Sequence, residues 1–89
     1  MAHHRSAIKR HIQSLKRRDL NRFFMSTMRT KIKRLKVLLT EGTKEQAWEA
    51  LKDTTGYIQK VASKGIIHRN KSSRLVSRLS KHFHQKFEK

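Results

Sequence analysis

The sequence predicts an all-α protein, an antiparallel three-helix bundle whose long first helix projects in part beyond the other two. The 89 residues include no proline and only three glycines, so long helices are permitted along most of the chain. Apolar residues recur at steps of three and four, which is the spacing of one helix face. Gly42 and Gly65 interrupt that pattern and divide it into three helical segments within a single domain, residues 1–89.

The first predicted helix runs to Thr40, with Ser6 as its N-cap. Its roughly 33 residues extend for about 50 Å, of which two helices of about 20 residues can cover only about 30 Å. Its apolar residues concentrate between Leu20 and Leu39. We therefore expect the N-terminal half to project, to fray in the free protein and to become ordered on a partner. The apolar positions are Ile8, Ile12, Leu15, Phe24, Met28, Ile32, Leu35 and Leu39.

The second predicted helix runs from about Lys44 to Ser63. Gly42 is expected to adopt the left-handed conformation that ends the preceding helix. Thr43 followed by Gln46 predicts a capping box at the start of the new one. We interpret Gly56, inside this helix, as a point of close packing. The expected apolar face consists of Ala47, Leu51, Thr54, Ile58, Val61 and Ala62, with Trp48 beside it.

The third predicted helix starts near His68 and ends near Phe87. Gly65 marks the stop before it, and Ile66 and Ile67 are expected to plug the end of the bundle. Connections this short place consecutive helices antiparallel, so the third helix runs parallel to the first. Its expected apolar face consists of Leu75, Leu79 and Phe83, with Val76 beside it.

The charge is large and segregated along the chain. Lys and Arg number 23 against six Asp and Glu, which gives a net charge of +17 at pH 7. Residues 1–40 carry +11, residues 41–62 carry −1 and residues 63–89 carry +7. A compact chain with this charge repels itself and requires a polyanion. The sequence pI of about 11.5 is typical of a nucleic-acid-binding domain.

Two basic blocks can line one shared surface, because the first and third helices run in parallel. If about eight phosphates are neutralised, log K should fall with log salt with a slope of about −6 to −7. The first block is Arg5, Lys9, Arg10, Lys16, Arg17, Arg18, Arg22, Arg29, Lys31, Lys33, Arg34 and Lys36, and the second is Lys64, His68, Arg69, Lys71, Arg74, Arg78 and Lys81.

Acidic residues repeat every four positions along the second helix and form a stripe. We interpret this stripe as a solvated face turned away from the polyanion, with ion pairs to Lys44 or Lys52. The stripe consists of Glu41, Glu45, Glu49 and Asp53.

Catalytic and metal chemistry find no support in the sequence. A Gly-rich phosphate loop and an opposed pair of carboxylates are both missing, so we predict no enzyme, cofactor or small-molecule substrate. His82 and His84 lie on different helix faces, and without cysteine we predict no metal site. The lack of cysteine fits a reducing compartment, and the lack of long apolar runs excludes a membrane span. We therefore expect a cytoplasmic protein.

Several alternatives remain open at this point. Phe24, Phe83 and Trp48 are expected in the core or at its rim, whereas Phe23 and Tyr57 are candidates for stacking on bases. A DNA-compacting protein would need a dimer seam or a helix suited to the major groove, and no dimer seam is evident. A membrane-surface helix would need a wider apolar stripe than the interrupted first helix offers.

Specific residues resemble a known family. Its first-helix motifs are Ser6-Ala7-x-Lys9-Arg10, Arg17-Arg18 with Asn21, and Met28-Arg29-Thr30 with Lys33. Glu41-Gly42 followed by Ala47 is also similar, and the most specific match is KGIIHRNKSSRLVSRLS, residues 64–80. Over nearly its whole length the chain resembles the bacterial small-subunit ribosomal protein twenty family.

The resemblance implies a three-helix bundle near the lower end of the small-subunit body. It implies binding to small-subunit ribosomal RNA early in assembly, contact with more than one RNA segment, and neighbouring ribosomal proteins as possible partners. Phe23 and Phe24 stand where the family is more polar or basic, and the C-terminal HFHQKFEK has no assigned role. Carried over by position, the RNA-facing residues are Ser6, Lys9, Arg10, Arg17, Arg18, Asn21, Arg29, Lys64, His68, Asn70, Lys71, Arg74 and Arg78.

Overall fold

The chain folds into three helices and has no strand within the described residues. A computed structural model describes the backbone of residues 2–88 and the side chains of residues 5–88. The helices are α1 (Ala2–Glu41), α2 (Lys44–Ser63) and α3 (Arg69–Phe87). Short connections between them place consecutive helices antiparallel. The predicted all-α class, with three helices and a long first one, is confirmed.

Helix α1 starts earlier than predicted, at Ala2, and contains 40 residues. Ser6 therefore lies inside the helix, and its prediction as the N-cap is wrong. The physical reason is that neither proline nor glycine precedes Ser6, and serine inside a helix is only mildly unfavourable. A helix of this length extends for about 60 Å. The molecule is accordingly elongated, measuring 67 × 22 × 13 Å.

The N-terminal half of α1 projects beyond the bundle, as predicted. Side chains 5–20 are all exposed, and Met28 is the first buried one. Leu20, predicted as the start of the apolar part, is 57% exposed and lies outside the core. The positions of this half that lie on the same side of α1 as the core, at spacings of three and four residues from Met28, include Arg17 and Arg10. Since these positions are charged, the buried seam cannot continue along this half.

Helix α2 lies at the centre of the packing, because most interhelical contacts join it to α1 or to α3. Its predicted apolar face is confirmed, with Trp48 at the rim and half of its surface covered. On α3, Leu79 and Phe83 are buried, whereas Leu75 and Val76 are half-buried. The core consists of Met28, Leu35, Leu39, Ala47, Leu51, Ile58, Val61, Ile67, Leu79 and Phe83.

The two turns end their helices by different means. The predicted capping box is present: the Gln46 N–H donates to Thr43 Oγ1 at 3.3 Å, and the Thr43 N–H donates to Gln46 Oε1 at 3.2 Å. Gly65, with φ of +78°, is the only described residue in the left-handed region. The left-handed conformation predicted for Gly42 is therefore wrong. A glycine is instead required at position 42 because there is no room for a side chain: a Cβ there would lie 2.8 Å from the Leu38 carbonyl oxygen.

Gly56 is exposed, and a Cβ built on it would meet no atom within 4 Å. The interpretation of Gly56 as a point of close packing is wrong. The apolar pattern on either side of Gly56 predicts which face of α2 is buried. It does not predict whether another helix approaches the opposite face.

The two ends of the bundle are closed by apolar side chains. Ile67 is 7% exposed and Ile66 is half-buried, which confirms the predicted plug after α2. At the opposite end, the Phe83 ring lies 5.5 Å from Trp48 and 5.2 Å from Phe87, measured between centroids. The HFHQKFEK segment, to which the sequence assigned no role, therefore completes the core.

Candidate nucleic-acid interface

The projecting half of α1 carries cations on all of its sides. A helix turns 100° per residue, so Lys9 and Arg18, nine residues apart, point in opposite directions. Arg10 and Arg17 continue the line of the core, and Lys9 borders a shallow groove on another side with Arg5. The predicted residues of this half are exposed, but the structure does not bring them to one face.

Asn21 and Arg29 lie where α1 enters the bundle. Asn21 is half-buried, and Arg29 is exposed. Arg29 follows Arg18 by eleven residues, close to three helical turns, so these two predicted residues share one side of α1. Ser6 is exposed on the projecting half and belongs to the same helix.

Arginine and lysine differ in their partners. Within the described side chains every arginine is exposed, and none forms an ion pair with a carboxylate. Three of the described acids, Glu49, Asp53 and Glu88, pair with lysines or with His84. Because guanidinium groups suit bidentate contacts with carboxylates and phosphates alike, the arginines are left available for an external anion. They are Arg5, Arg10, Arg17, Arg18, Arg22, Arg29, Arg34, Arg69, Arg74 and Arg78.

The start of α3 concentrates positive charge. His68 is its N-cap, and the Asn70 N–H donates to His68 Nδ1 at 3.1 Å. The first turn contains Arg69 and Lys71 and no acid. The free N–H groups of a helix start already carry partial positive charge, so these cations are locally unfavourable until an anion binds. The sequence identified His68, Asn70 and Lys71 as contact residues and did not assign the capping role of His68.

A row of cations continues along α3 from this helix start. Lys71, Arg74 and Arg78 are spaced three and four residues apart, so they share one side of the helix, and all three are exposed. Ser72 and Leu79 are buried on another side. The structure therefore brings together these predicted residues with the N-terminus of α3.

Lys64 lies beside an aromatic pair at the base of the projecting half. Its Nζ lies 5.0 Å from the Phe24 ring centroid, and Lys60 Nζ lies 5.8 Å from the same centroid. Phe24 is half-buried against the core and lies 6.3 Å from the Tyr57 ring, which confirms its expected place at the rim. The sequence identified Lys64 here and missed Lys60, whose proximity depends on how α1 and α2 pack.

The acidic stripe is only partly paired as predicted. Lys52 pairs with Glu49 at 3.5 Å, in agreement with the prediction, but Lys44 pairs with Glu88 at 3.9 Å. The sequence also missed an ion pair between helices, Lys31 Nζ to Asp53 Oδ2 at 2.7 Å. These two residues are 22 positions apart, so no local pattern could have indicated their contact.

Within the described part of the chain, no three His, Cys, Asp or Glu side chains come together as a metal site would require. Nor does any described helix combine the length and the apolar character needed to cross a membrane.

Comparison with known proteins identifies the family. A family model described as "Ribosomal protein S20" matches residues 2–84. The "Small ribosomal subunit protein bS20" of Oleidesulfovibrio alaskensis is 46% identical over 81 residues, covering 91% of this chain and 93% of that protein. The protein of the same name from Nitratidesulfovibrio vulgaris is 42% identical over 85 residues (96% and 98% covered), and that from an Exiguobacterium species is 49% identical over 80 residues (90% and 93%). These matches confirm the resemblance of the motifs: the chain belongs to the ribosomal protein S20 family, a family of structural ribosomal components and not of enzymes.

Proposed function

We propose that this chain is a structural component of the small ribosomal subunit, in the cytoplasm, which binds small-subunit ribosomal RNA and stabilises the folding of that RNA during assembly. Neighbouring ribosomal proteins are possible further partners. The proposed RNA-binding residues are Ser6, Lys9, Arg10, Arg17, Arg18, Asn21, Arg29, Lys64, His68, Asn70, Lys71, Arg74 and Arg78.

The observation that supports RNA binding most strongly is the exposed and unpaired state of the arginines across the described part of the chain. In a merely solvated charged surface, some arginines would pair with the available carboxylates. Here the carboxylates of Glu49, Asp53 and Glu88 pair with lysines or with His84, while the residue type best suited to phosphate remains accessible. Counterion release from RNA then supplies most of the binding free energy.

The start of α3 supports a phosphate contact in particular. Backbone N–H groups, Lys71 and the His68 ring lie at one helix N-terminus, and the first turn of this helix contains no acid. A phosphate there would relieve the repulsion between the local cations and the helix dipole. Arg74 and Arg78 extend the same contact along the helix, where successive phosphates of one RNA strand can be reached.

The projecting half of α1 supports contact with RNA on more than one side. Its cations point in all directions, and no other described part of the protein covers residues 5–20. Such a segment fits between RNA surfaces better than it fits against a single flat one. Most of its contacts would be to phosphates and 2′-hydroxyl groups, so RNA would be recognised by shape more than by base sequence.

A charge-matched pair of double variants tests this proposal. Lys71→Gln with Arg74→Gln removes two charges from the exposed row on α3, and Lys44→Gln with Lys52→Gln removes two charges that are engaged by carboxylates. We expect the first double variant to weaken binding to small-subunit ribosomal RNA and to reduce the slope of log K against log salt by about 1 for each lost phosphate contact. The second should leave both quantities close to those of the original protein.

Two outcomes would contradict the proposal. Equal losses in the two double variants would mean that only net charge matters and that the row on α3 is not a contact surface. Competition by duplex DNA as effective as by structured ribosomal RNA would favour a general polyanion-binding protein. Co-sedimentation of the native protein with small ribosomal subunits provides the third, independent measurement.

A further inference from the structure

Phe23 is an exposed aromatic residue on a highly charged helix. Its side chain is 62% exposed, more than that of any other large apolar residue described. Asn21, two residues earlier, points to the opposite side of α1, where the core continues. The Phe23 ring meets Phe24 edge-on, at 5.7 Å between centroids and 75° between planes. The Phe23 ring thus contacts Phe24 while much of its surface stays open to solvent.

The surface beside Phe23 is concave. Ser26, Thr27 and Thr30 are short side chains between longer ones, and they line a depression of about 570 Å³. The depression is open to solvent and is formed by side chains of α1 alone. Phe23 is the only apolar side chain in its lining.

The charged rim of the depression is available for an anion. Arg22 and Arg34 line it, and neither has a carboxylate partner among the described residues. Lys31 also lines it but is held by Asp53 at 2.7 Å. Asp19 is the single acid in the lining, and as an acceptor it suits the amino group of a base and repels phosphate. Phosphate is therefore favoured at the two arginines.

We propose that this depression binds one unpaired nucleotide of the RNA, with its base stacked on Phe23 and phosphates of its strand at Arg22 and Arg34. The inference rests on the proposed RNA-binding function and adds a contact on the side of α1 that faces away from the core. One open aromatic ring, two guanidinium groups without carboxylate partners and short hydroxyl side chains match the base, phosphates and sugar of a nucleotide strand. A protein surface would require more than one apolar side chain here.

Three substitutions at Phe23 separate stacking from apolar contact. Phe23→Trp keeps an aromatic face, Phe23→Leu keeps apolar volume without a ring, and Phe23→Ala removes both. Affinity for small-subunit ribosomal RNA should be retained by Phe23→Trp and should fall by about 5- to 150-fold in Phe23→Leu and Phe23→Ala, which is the range that stacking of one base provides. The salt slope should not change in these variants, because no phosphate contact is lost.

Val37 provides a matched control, since it is an exposed apolar residue of the same helix, with 51% of its surface accessible. Val37→Ala should not alter RNA affinity. Arg22→Gln with Arg34→Gln should weaken binding and reduce the salt slope by about 2. Because Phe23 lies outside the core, the midpoint of thermal unfolding of its variants should match that of the original protein.

The result that overturns the inference is RNA binding by Phe23→Leu that equals that of the original protein. If this occurred while the Lys71→Gln and Arg74→Gln double variant lost affinity, RNA binding would stand and the nucleotide site would be rejected. A loss in Phe23→Leu and Phe23→Ala, with retention in Phe23→Trp, supports the site. If the double variant on α3 had no effect, the proposed function would fail at its own test, independently of Phe23.

Discussion

Lys31 Nζ on α1 lies 2.7 Å from Asp53 Oδ2 on α2, and this ion pair joins the two helices at a partly exposed edge. Lys31 makes a second contact with α2 through its backbone, because the Thr54 hydroxyl donates to the Lys31 carbonyl oxygen at 3.5 Å. The Lys31 side chain is therefore engaged within the fold. Among the cations of the first basic block, it is the one least available to RNA.

The Lys31–Asp53 pair should contribute little to stability. The two side chains are 27% and 64% exposed, so water screens the attraction between them. A double-mutant cycle with Lys31→Ala and Asp53→Ala, measured by urea unfolding, should give a coupling energy of about 0.2–1 kcal/mol. Lys33→Ala serves as the control, since Lys33 is exposed and has no carboxylate partner in the described part of the chain. A coupling energy above about 2 kcal/mol would contradict the prediction.

Gly56→Ala should stabilise the protein. Gly56 lies inside α2, is exposed, and has free space where a Cβ would be placed. Alanine is favoured over glycine by about 1 kcal/mol inside a helix. Urea unfolding should therefore show an increase of up to about 1 kcal/mol in the free energy of unfolding.

The other two glycines provide controls of opposite sign. Gly42→Ala should destabilise the protein because its Cβ would lie 2.8 Å from the Leu38 carbonyl oxygen. Gly65→Ala should also destabilise it, since φ of +78° strains any residue with a Cβ. If all three substitutions stabilised the protein, the change in stability would come from the lower entropy of the unfolded chain and not from the space around each glycine.

Phe83→Ala should remove most of the stability of the fold. Phe83 is fully buried, and its ring packs against Trp48 and Phe87. Truncating a buried phenylalanine costs about 3–5 kcal/mol, comparable with the total stability of a small domain. Loss of helical circular dichroism and a shift in Trp48 fluorescence should report the unfolding. Phe23→Ala is the control, because its exposed ring contributes little to the core.

The projecting half of α1 should be the least protected part of the free protein. Its side chains 5–20 have no buried contact, and an isolated charged helix is marginal in water. Hydrogen exchange should be fast at these amides and slow near Leu35, which is fully buried. Addition of small-subunit ribosomal RNA should slow exchange in residues 5–20. Equal protection of both regions without RNA would contradict the expected fraying.

The sequence predicted those features that depend on the order of residues along one helix. The spacing of apolar residues gave the buried face of α2, and Thr43 with Gln46 gave its capping box. The predicted bounds of α2 also agree with the structure. Each of these features is determined by residues within one or two turns of each other, so the sequence pattern carries the information directly.

Features that depend on contact between helices were predicted poorly. The surroundings of Gly56 depend on how closely a neighbouring helix approaches. The proximity of Lys60 to Phe24 has the same origin. In the candidate interface, residue type identified the cations, but only the packing shows which are paired and which are free.

His68 combines a structural role with a proposed RNA contact, and two substitutions distinguish them. Its Nδ1 accepts the Asn70 N–H at 3.1 Å, so the ring caps α3. His68→Ala removes the cap and should lower the free energy of unfolding by about 0.5–2 kcal/mol. His68→Asn should retain the cap, because asparagine is among the most favourable N-cap residues.

If His68 also contacts RNA, His68→Asn removes a hydrogen bond between the ring and RNA. Binding should then weaken by about 0.5–1.5 kcal/mol, the usual net contribution of one hydrogen bond, while the free energy of unfolding stays unchanged. The ring has one nitrogen engaged in the cap, so the other, Nε2, is the group that would reach RNA. Isothermal titration with ribosomal RNA, together with urea unfolding of the same preparations, separates the two effects. Binding by His68→Asn equal to that of the original protein would limit His68 to capping and assign the contact at this helix start to Asn70, Lys71 and the backbone N–H groups.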